Sequence, residues 1–145
     1  MRIFIDGDGC PVKEEVVRVA GRYEVPVTII VDINHQVNLE GVQVVTVDQG
    51  FDSADMAIVN RLQFGDAVIT NDIGLASLVL GKKGFVMDAN GREINGYNVD
   101  RLLFERHMHK EIRMAKKRHK GPKKRLKTAD DAFEKALGLM IKRII

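Results

Sequence analysis

Three hydrophobic segments of the sequence run into aspartate, and residues of that type at strand ends can build a metal site. Ile3-Phe4-Ile5 leads into Asp6-Gly7-Asp8-Gly9, and Ala67-Val68-Ile69-Thr70-Asn71 leads into Asp72. Asp52-Ser53-Ala54-Asp55 opens an apolar helical pattern. In an open α/β sheet, ligands bind in the crevice beyond the carboxyl ends of the parallel strands. Carboxylates delivered there from separate strands converge, and they repel one another unless a cation or a proton joins them. Oxygen donors of this kind suit Mg²⁺ or Mn²⁺. Asp6, Asp8, Asp55 and Asp72 are therefore the candidate catalytic and metal-binding residues.

Each of these acids also has a purely structural explanation. Asp and Gly are favoured in turns, so Asp6-Gly7 can be a plain turn. Asp8 can ligate a metal, cap the following helix or close an Asx turn. Asp52 as N-cap with Asp55 at the third helical position would make an acidic first turn, which the helix dipole favours. Asn71 or Asp72 can cap the next helix. Taken together at strand ends the acids are harder to explain away, and capping and ligation are compatible. Asp88 follows the run Gly84–Met87 and is either a further ligand or a turn residue before Asn90-Gly91. Gly7 and Gly9 would let a ligand approach the backbone closely. Thr70, Asn71 and Ser53 can position water or phosphate, or act as caps. Cys10 lies near a helix start, where a thiol pKa can fall, although the role of a small buried hydrophobe suits it better. His107, His109 and His119 have no zinc partner set and belong on a solvated face.

The elements that would position these residues follow from periodicity. Arg2–Ile5 reads as a buried strand, and Pro11 suits the first turn of a helix running to about Tyr23, with Val12, Val16, Val19, Ala20 and Tyr23 on one face. Val27–Val31 and Val42–Val47 are β-branched runs of the kind buried on both faces of a sheet. His35 to Gly41 is polar and reads as a loop with a helical turn. Asp52 or Ser53 caps a helix bearing Met56, Ala57, Val59 and Leu62. Strand Ala67–Thr70, helix Ile73–Leu80 and strand Gly84–Met87 follow. Asn98 caps a long helix with Val99, Leu102, Leu103 and Ile112 along one face, and Thr128-Ala129-Asp130-Asp131 resembles a capping box for a last helix ending near Arg143. Alternating strands and helices predict a three-layer α/β domain, a parallel sheet with helices on both faces.

The 145 residues suit one domain, with a basic helix-loop-helix portion at about 98–145. The single cysteine excludes an intrachain disulfide framework. With no signal peptide and no apolar run of membrane length, a cytoplasmic location without membrane association is expected. The oligomeric state stays open, a homo-oligomer included. The net charge of +3 conceals an asymmetry. Residues 1–100 carry 8 Lys+Arg against 15 Asp+Glu, whereas residues 101–145 carry 15 against 5. One part suits cations and the other polyanions. Within 116–127, eight of twelve residues are Lys or Arg, including Lys116, Lys117, Arg118, Lys120, Lys123, Lys124 and Arg125. Such density neutralises several phosphates and makes binding steeply salt-dependent. It contains no aromatic residue for base stacking. A solvated tail is the competing explanation.

Ile5-Asp6-Gly7-Asp8-Gly9-Cys10-Pro11-Val12-Lys13 resembles the opening of the YaiI/YqxD family of uncharacterised bacterial proteins, which usually reads Asp-Ala-Asp-Ala-Cys-Pro-Val. Ala54-Asp55, Gly65-Asp66, Val68-Ile69-Thr70, Asp72-Ile73, Leu75-Ala76, Gly91, Asn98, Arg106, Gly121-Pro122 and Phe133 extend the resemblance over nearly the whole chain. Gly7 and Gly9 depart from the usual alanines, which loosens the loop. Lys120 and Asp88-Ala89-Asn90 stand where the family has a glycine and Asn-Pro-Arg. The resemblance implies a PIN-like nuclease fold, with Asp6, Asp55 and Asp72 on the acidic positions of PIN domains and Asp8 as the family's own second acid. The function expected is a divalent-metal-dependent nuclease acting on RNA, with Mg²⁺ or Mn²⁺ activating water and the basic segment holding the polyanion. Two alternatives stand beside it. One is a haloacid-dehalogenase-like phosphatase using Asp6 and Asp8, against which Cys10 occupies the position of the usual threonine. The other is a non-catalytic RNA-binding protein of the same fold.

Overall fold

Residues 3–5 and 67–69 are apolar without a break, and such strands are stable only where both sheet faces are covered. The computed structural model describes residues 1–32, 36–48, 53–115 and 124–145, and it covers both faces with helices. The described strands are β1 (Ile3–Asp6), β2 (Val27–Asp32), β3 (Gln43–Val47), β4 (Ala67–Ile69), β5 (Phe85–Met87) and β6 (Glu93–Ile94). They form one sheet in the order β3-β2-β1-β4-β5-β6. The pairings from β3 through β5 are parallel, and β6 is antiparallel to β5. The helices are α1 (Lys13–Arg22), α2 (Ala54–Arg61), α3 (Ile73–Gly81), α4 (Val99–Ala115) and α5 (Lys127–Ile144).

Side-chain alternation along the strands divides the core in two. Ile3, Ile5, Ile29, Val31, Ala67 and Ile69 pack against Val16 and Val19 of α1 and Phe133, Leu137 and Ile141 of α5. Phe4, Ile30, Val68 and Val86 pack against Ile58 of α2, Leu75 and Val79 of α3 and Leu102 of α4. Phe133 is wholly buried. Truncating a phenylalanine in such a place to alanine costs about 3–5 kcal/mol. No helix among the described residues is long and apolar enough to cross a membrane.

Several elements differ from expectation. β3 is not buried on both faces: among the described residues it pairs with β2 alone, and Val44 remains 38% exposed. The edge position explains this, because a β-branched run reports strand propensity and not coverage. β6 has only two residues, too few for a periodic signal, and it returns from β5 through the Asn90-Gly91 turn with Gly91 at φ 83. The capping box at Thr128 does not form. α5 begins earlier, at Lys127, with Leu126 as an N-cap that makes no side-chain cap bond. On α4, Val99, Leu102 and Leu103 pack inward, but Ile112 is exposed. The loop at 36–41 contains a turn at Glu40-Gly41 and no helical turn, while His35 lies outside the described residues.

Candidate active site

The strand order places a topological switch between β1 and β4. From β1 the chain moves outward through β2 to β3, then returns to the other side of β1 as β4. Loops leaving β1 and β4 diverge there and open a crevice at their carboxyl ends. The structure has a cleft of about 500 Å³ at this place, lined by Asp6, Asp8, Asp55 and Asp72 together with Thr70 and Arg106. All four candidate acids are thus brought together. Arg106 is the one Lys or Arg among the described lining residues.

Asp6 is the last residue of β1. The chain then turns flat against β2, where the Gly7 N–H donates to the Ile30 carbonyl at 2.8 Å. A Cβ on Gly7 would stand 2.5 Å from Val31 Cγ1 and 2.8 Å from the Ile30 oxygen. Gly7 therefore serves close packing within the sheet and does not expose or loosen the loop. Gly9, at φ 76 with nothing within 4 Å, takes the left-handed turn. Asp8 Oδ1 accepts from the Asp32 N–H at 3.3 Å, which ties it to the end of β2.

Thr70 joins the two strand ends. It is buried, and its Oγ1 accepts from the Asp72 N–H at 3.0 Å. The same hydroxyl donates to Asp6 Oδ2 at 2.9 Å. Asp72 is the N-cap of α3: its Oδ1 accepts from the N–H groups of Gly74 at 2.9 Å and Leu75 at 3.4 Å. The same oxygen receives Arg106 Nη1 at 3.2 Å. The capping explanation is therefore correct, and all three contacts fall on one oxygen. Gly74 makes room for the arginine, since a Cβ there would lie 3.1 Å from Arg106 Nη1. Of the two expected caps, Ser53 is the N-cap of α2, accepting from the Met56 N–H at 3.3 Å. Asp55 is the second residue of α2, one position before the expected third, within the acidic first turn, and it lines the cleft.

The electrostatics follow from this crowding. Burial pushes Asp6 up to about 6; Thr70 opposes the rise, and the charges of Asp55, Asp72 and Asp8 add to it. Burial also raises Asp55, as does Asp72, while Arg106 opposes. Asp66, at the amino end of β4, is the contrasting case. It is buried, but it accepts from the Arg2 backbone N–H at 3.0 Å, from Arg2 Nη2 at 2.7 Å and from the Gln63 N–H at 2.9 Å. Asp66 lies among donors, whereas Asp6 and Asp55 are each raised by neighbouring carboxylates as well as by burial.

Asp88 is settled as a turn residue. Its Oδ1 accepts from the N–H groups of Asn90 and Arg92, each at 2.9 Å, and its Oδ2 pairs with Arg92 Nε at 3.1 Å. Cys10 is half-buried against the core, and burial pushes its thiol up, opposite to activation by a helix start. His107 lies on the solvated face of α4 beside Glu111 at 3.2 Å. His119 and Asp52 lie outside the described residues, as do Lys116, Lys117, Arg118, Lys120 and Lys123. Lys124 is exposed. Arg125 donates through Nη2 to the Ala89 carbonyl at 2.5 Å and through Nε to Asp130 at 2.5 Å. It fixes the end of the basic segment beside Ala89, a residue of the cleft wall.

No group of three or more His, Cys, Asp or Glu among the described residues is set to hold a metal ion as it stands. The donor set nevertheless fits a hard divalent cation: it is all carboxylate, strongly acidic and half-buried. Binding would require the side chains to close. Sequence reasoning did not assign Thr70 its bridge between Asp6 and Asp72, although its place two residues before Asp72 was visible. It also did not assign Arg106 to the site, and a separation of 34 residues from Asp72 leaves no local signal for it.

Similarity to other proteins agrees with the resemblance in the opening motif. The family described as "Uncharacterized BCR, YaiI/YqxD family" matches residues 4–143. A UPF0178 protein of Exiguobacterium sibiricum is 45% identical over 141 residues, covering 97% of this chain and 96% of that protein. A UPF0178 protein of Ruminiclostridium cellulolyticum is 45% identical over 98% of this chain and 93% of its own length. One from Natranaerobius thermophilus is 42% identical over 94% and 93%. No solved structure matches the chain.

Proposed function

The chain belongs to the YaiI/YqxD family, and from its cleft we propose that it is a divalent-metal-dependent phosphodiesterase acting on RNA. The observation that carries this reading is the gathering of four carboxylates against one arginine at the switch point of the sheet. The order of the acids supports a PIN-like arrangement: Asp6 closes β1, Asp55 opens α2 and Asp72 follows β4.

Asp6, Asp55 and Asp72 would hold Mg²⁺ or Mn²⁺, with Asp8 at the outer edge of the set. The ion supplies positive charge to a phosphoryl oxygen and acidity to water. The protein's own residues do the rest. Thr70 fixes the carboxylate of Asp6 by donating to one of its oxygens. The cap at α3 fixes Asp72, because two backbone N–H groups and Arg106 hold the same oxygen. Arg106 presents a planar donor fork that can turn from Asp72 to a phosphate, the geometry for which guanidinium is suited. Burial and the neighbouring charge of Asp72 raise Asp55, the crowding of carboxylates that a bound cation would relieve. Affinity for a polyanion comes from the C-terminal part, whose basic segment ends at the cleft wall through Arg125.

The test is labelled single-stranded RNA incubated with Mn²⁺, with wild type beside Asp6→Asn and a chelator control. Cleavage by the wild type, lost in Asp6→Asn and in chelator, is the expected result. Equal cleavage by both proteins would identify a contaminant and overturn the assignment. Turnover of a small phosphomonoester without RNA cleavage would favour the phosphatase alternative. RNA binding without cleavage under any divalent metal would leave a non-catalytic binder.

A further inference from the structure

Next to the acidic cleft lies a second groove of about 750 Å³, running along the inner edge of α4. The two share Asn71 and Arg106, so they form one continuous surface depression. Its lining differs in character. Arg106, His109 and Arg113 lie at spacings of three and four along α4, which puts them on one face of the helix. From the first to the last the helix rises about 10 Å. Ile73, Leu102 and Ile112 add an apolar component.

The acids of this groove are already engaged. Asp88 is paired with Arg92 at 3.1 Å, and Glu105 stands 3.9 Å from Arg101. Arg106 reaches back to Asp72 in the acidic cleft. The Arg113 guanidinium and the His109 imidazole thus extend a stripe of donors away from the carboxylates. A polyanion bound across both regions would be drawn to the stripe and would reach the carboxylates only where a cation screened them.

We propose that this groove is the track for a single-stranded polynucleotide on one side of the reacting phosphate, held by phosphate contacts to His109 and Arg113. The inference deepens the phosphodiesterase reading and rests on it. Phosphate contacts with Lys and Arg give sequence-independent, salt-dependent binding. No Phe or Tyr is among the described residues that line the groove, so bases would pack against aliphatic side chains without stacking platforms. The track therefore holds the strand with little preference for base. A single strand can bend from this groove into the cleft at their shared residues Asn71 and Arg106.

The deciding experiment is fluorescence anisotropy of a short labelled single-stranded RNA, titrated with full-length protein in chelator across a series of salt concentrations. The double variant His109→Ala with Arg113→Ala should bind about tenfold more weakly, with a salt slope shallower by about one counterion per lost phosphate contact. Arg113→Lys, which keeps the charge, should retain most of the affinity, and a thermal melt checks that each variant is folded. A double variant with wild-type affinity and slope overturns the track, as does a wild type that does not bind the RNA. The cleavage assay with Mn²⁺ separates the two ideas. Loss of binding in the double variant with no cleavage by the wild type would leave the track standing and remove the phosphodiesterase. Undiminished binding with cleavage intact would do the reverse.

Discussion

Asp6 concentrates the chemistry of the site in one side chain. In the folded protein its pKa is pushed up to about 6, above the ordinary 3.8. Between those values the folded protein binds the proton that the unfolded chain releases. The contribution to stability is therefore full below about 3.8 and is lost as pH rises through about 6. Asp6→Asn removes this titration, so in chelator the variant should match the wild type near pH 3.8 and exceed it above pH 6. The excess should be on the order of 1–2 kcal/mol, allowing for partial solvent screening. Urea melts at a series of pH values measure it, and a variant no more stable than wild type at neutral pH would remove the electrostatic argument. Mn²⁺ should invert the ranking, because a ligand bound only by the native state raises its melting temperature. Thr70 adds a companion prediction. Thr70→Val leaves the half-buried Asp72 N–H without its acceptor and Asp6 without its donor, at a cost of about 1–3 kcal/mol. It should also raise the pKa of Asp6 further, read by carboxyl NMR titration, while Thr70→Ser restores both.

At the scale of elements, the sheet separates structural acids from cleft acids by the strand end they occupy. Asp66 stands at the amino end of β4, across the sheet from Asp72, and is held by Arg2 and Gln63. Asp66→Ala should lower stability by about 1–3 kcal/mol, since it leaves two part-buried backbone N–H groups unpaired and removes the carboxylate partner of Arg2. It should leave the shift in melting temperature caused by Mn²⁺ unchanged, and a changed shift would mean that the two ends of β4 are not independent. The acids of β1 and β4 were legible because an apolar run ending in Asp is a local signal. The layered architecture was legible for the same reason, through strand runs alternating with helical periodicity. What could not be read depends on distant neighbours. β6 has two residues and exists through its pairing with Val86 and Met87. The exposure of β3 reflects its edge position. Thr128 was misjudged because Leu126 begins the helix earlier and Asp130 is drawn into a contact with Arg125. Arg106 becomes part of the site only because α4 packs beside α3, and Gly74 marks that approach in retrospect.

Across the whole molecule, charge is divided between the part that carries the carboxylates and the part that carries the lysines. Residues 1–100 have an excess of acids, and residues 101–145 hold 15 Lys+Arg against 5 Asp+Glu. If the two parts divide the work, then affinity and turnover respond to different substitutions. Replacing Lys116, Lys117, Lys123 and Lys124 with alanine should weaken RNA binding and flatten its dependence on salt, because each lost phosphate contact releases one counterion fewer. The loss should be largest at low salt and should shrink as salt rises, because the affinity of the wild type falls more steeply with salt. Once RNA is saturating, the same variant should cleave at a rate close to wild type, since none of its changes touches Asp6, Asp55 or Asp72. Asp6→Asn should behave in the opposite way, binding RNA as well as wild type or better at neutral pH, because a negative charge near the phosphate is gone, while losing cleavage. Binding isotherms over a salt series and single-turnover cleavage at saturating protein separate these effects. A lysine variant that loses turnover at saturation, or an Asp6→Asn variant that loses binding, would show that the acidic and basic parts form one inseparable site.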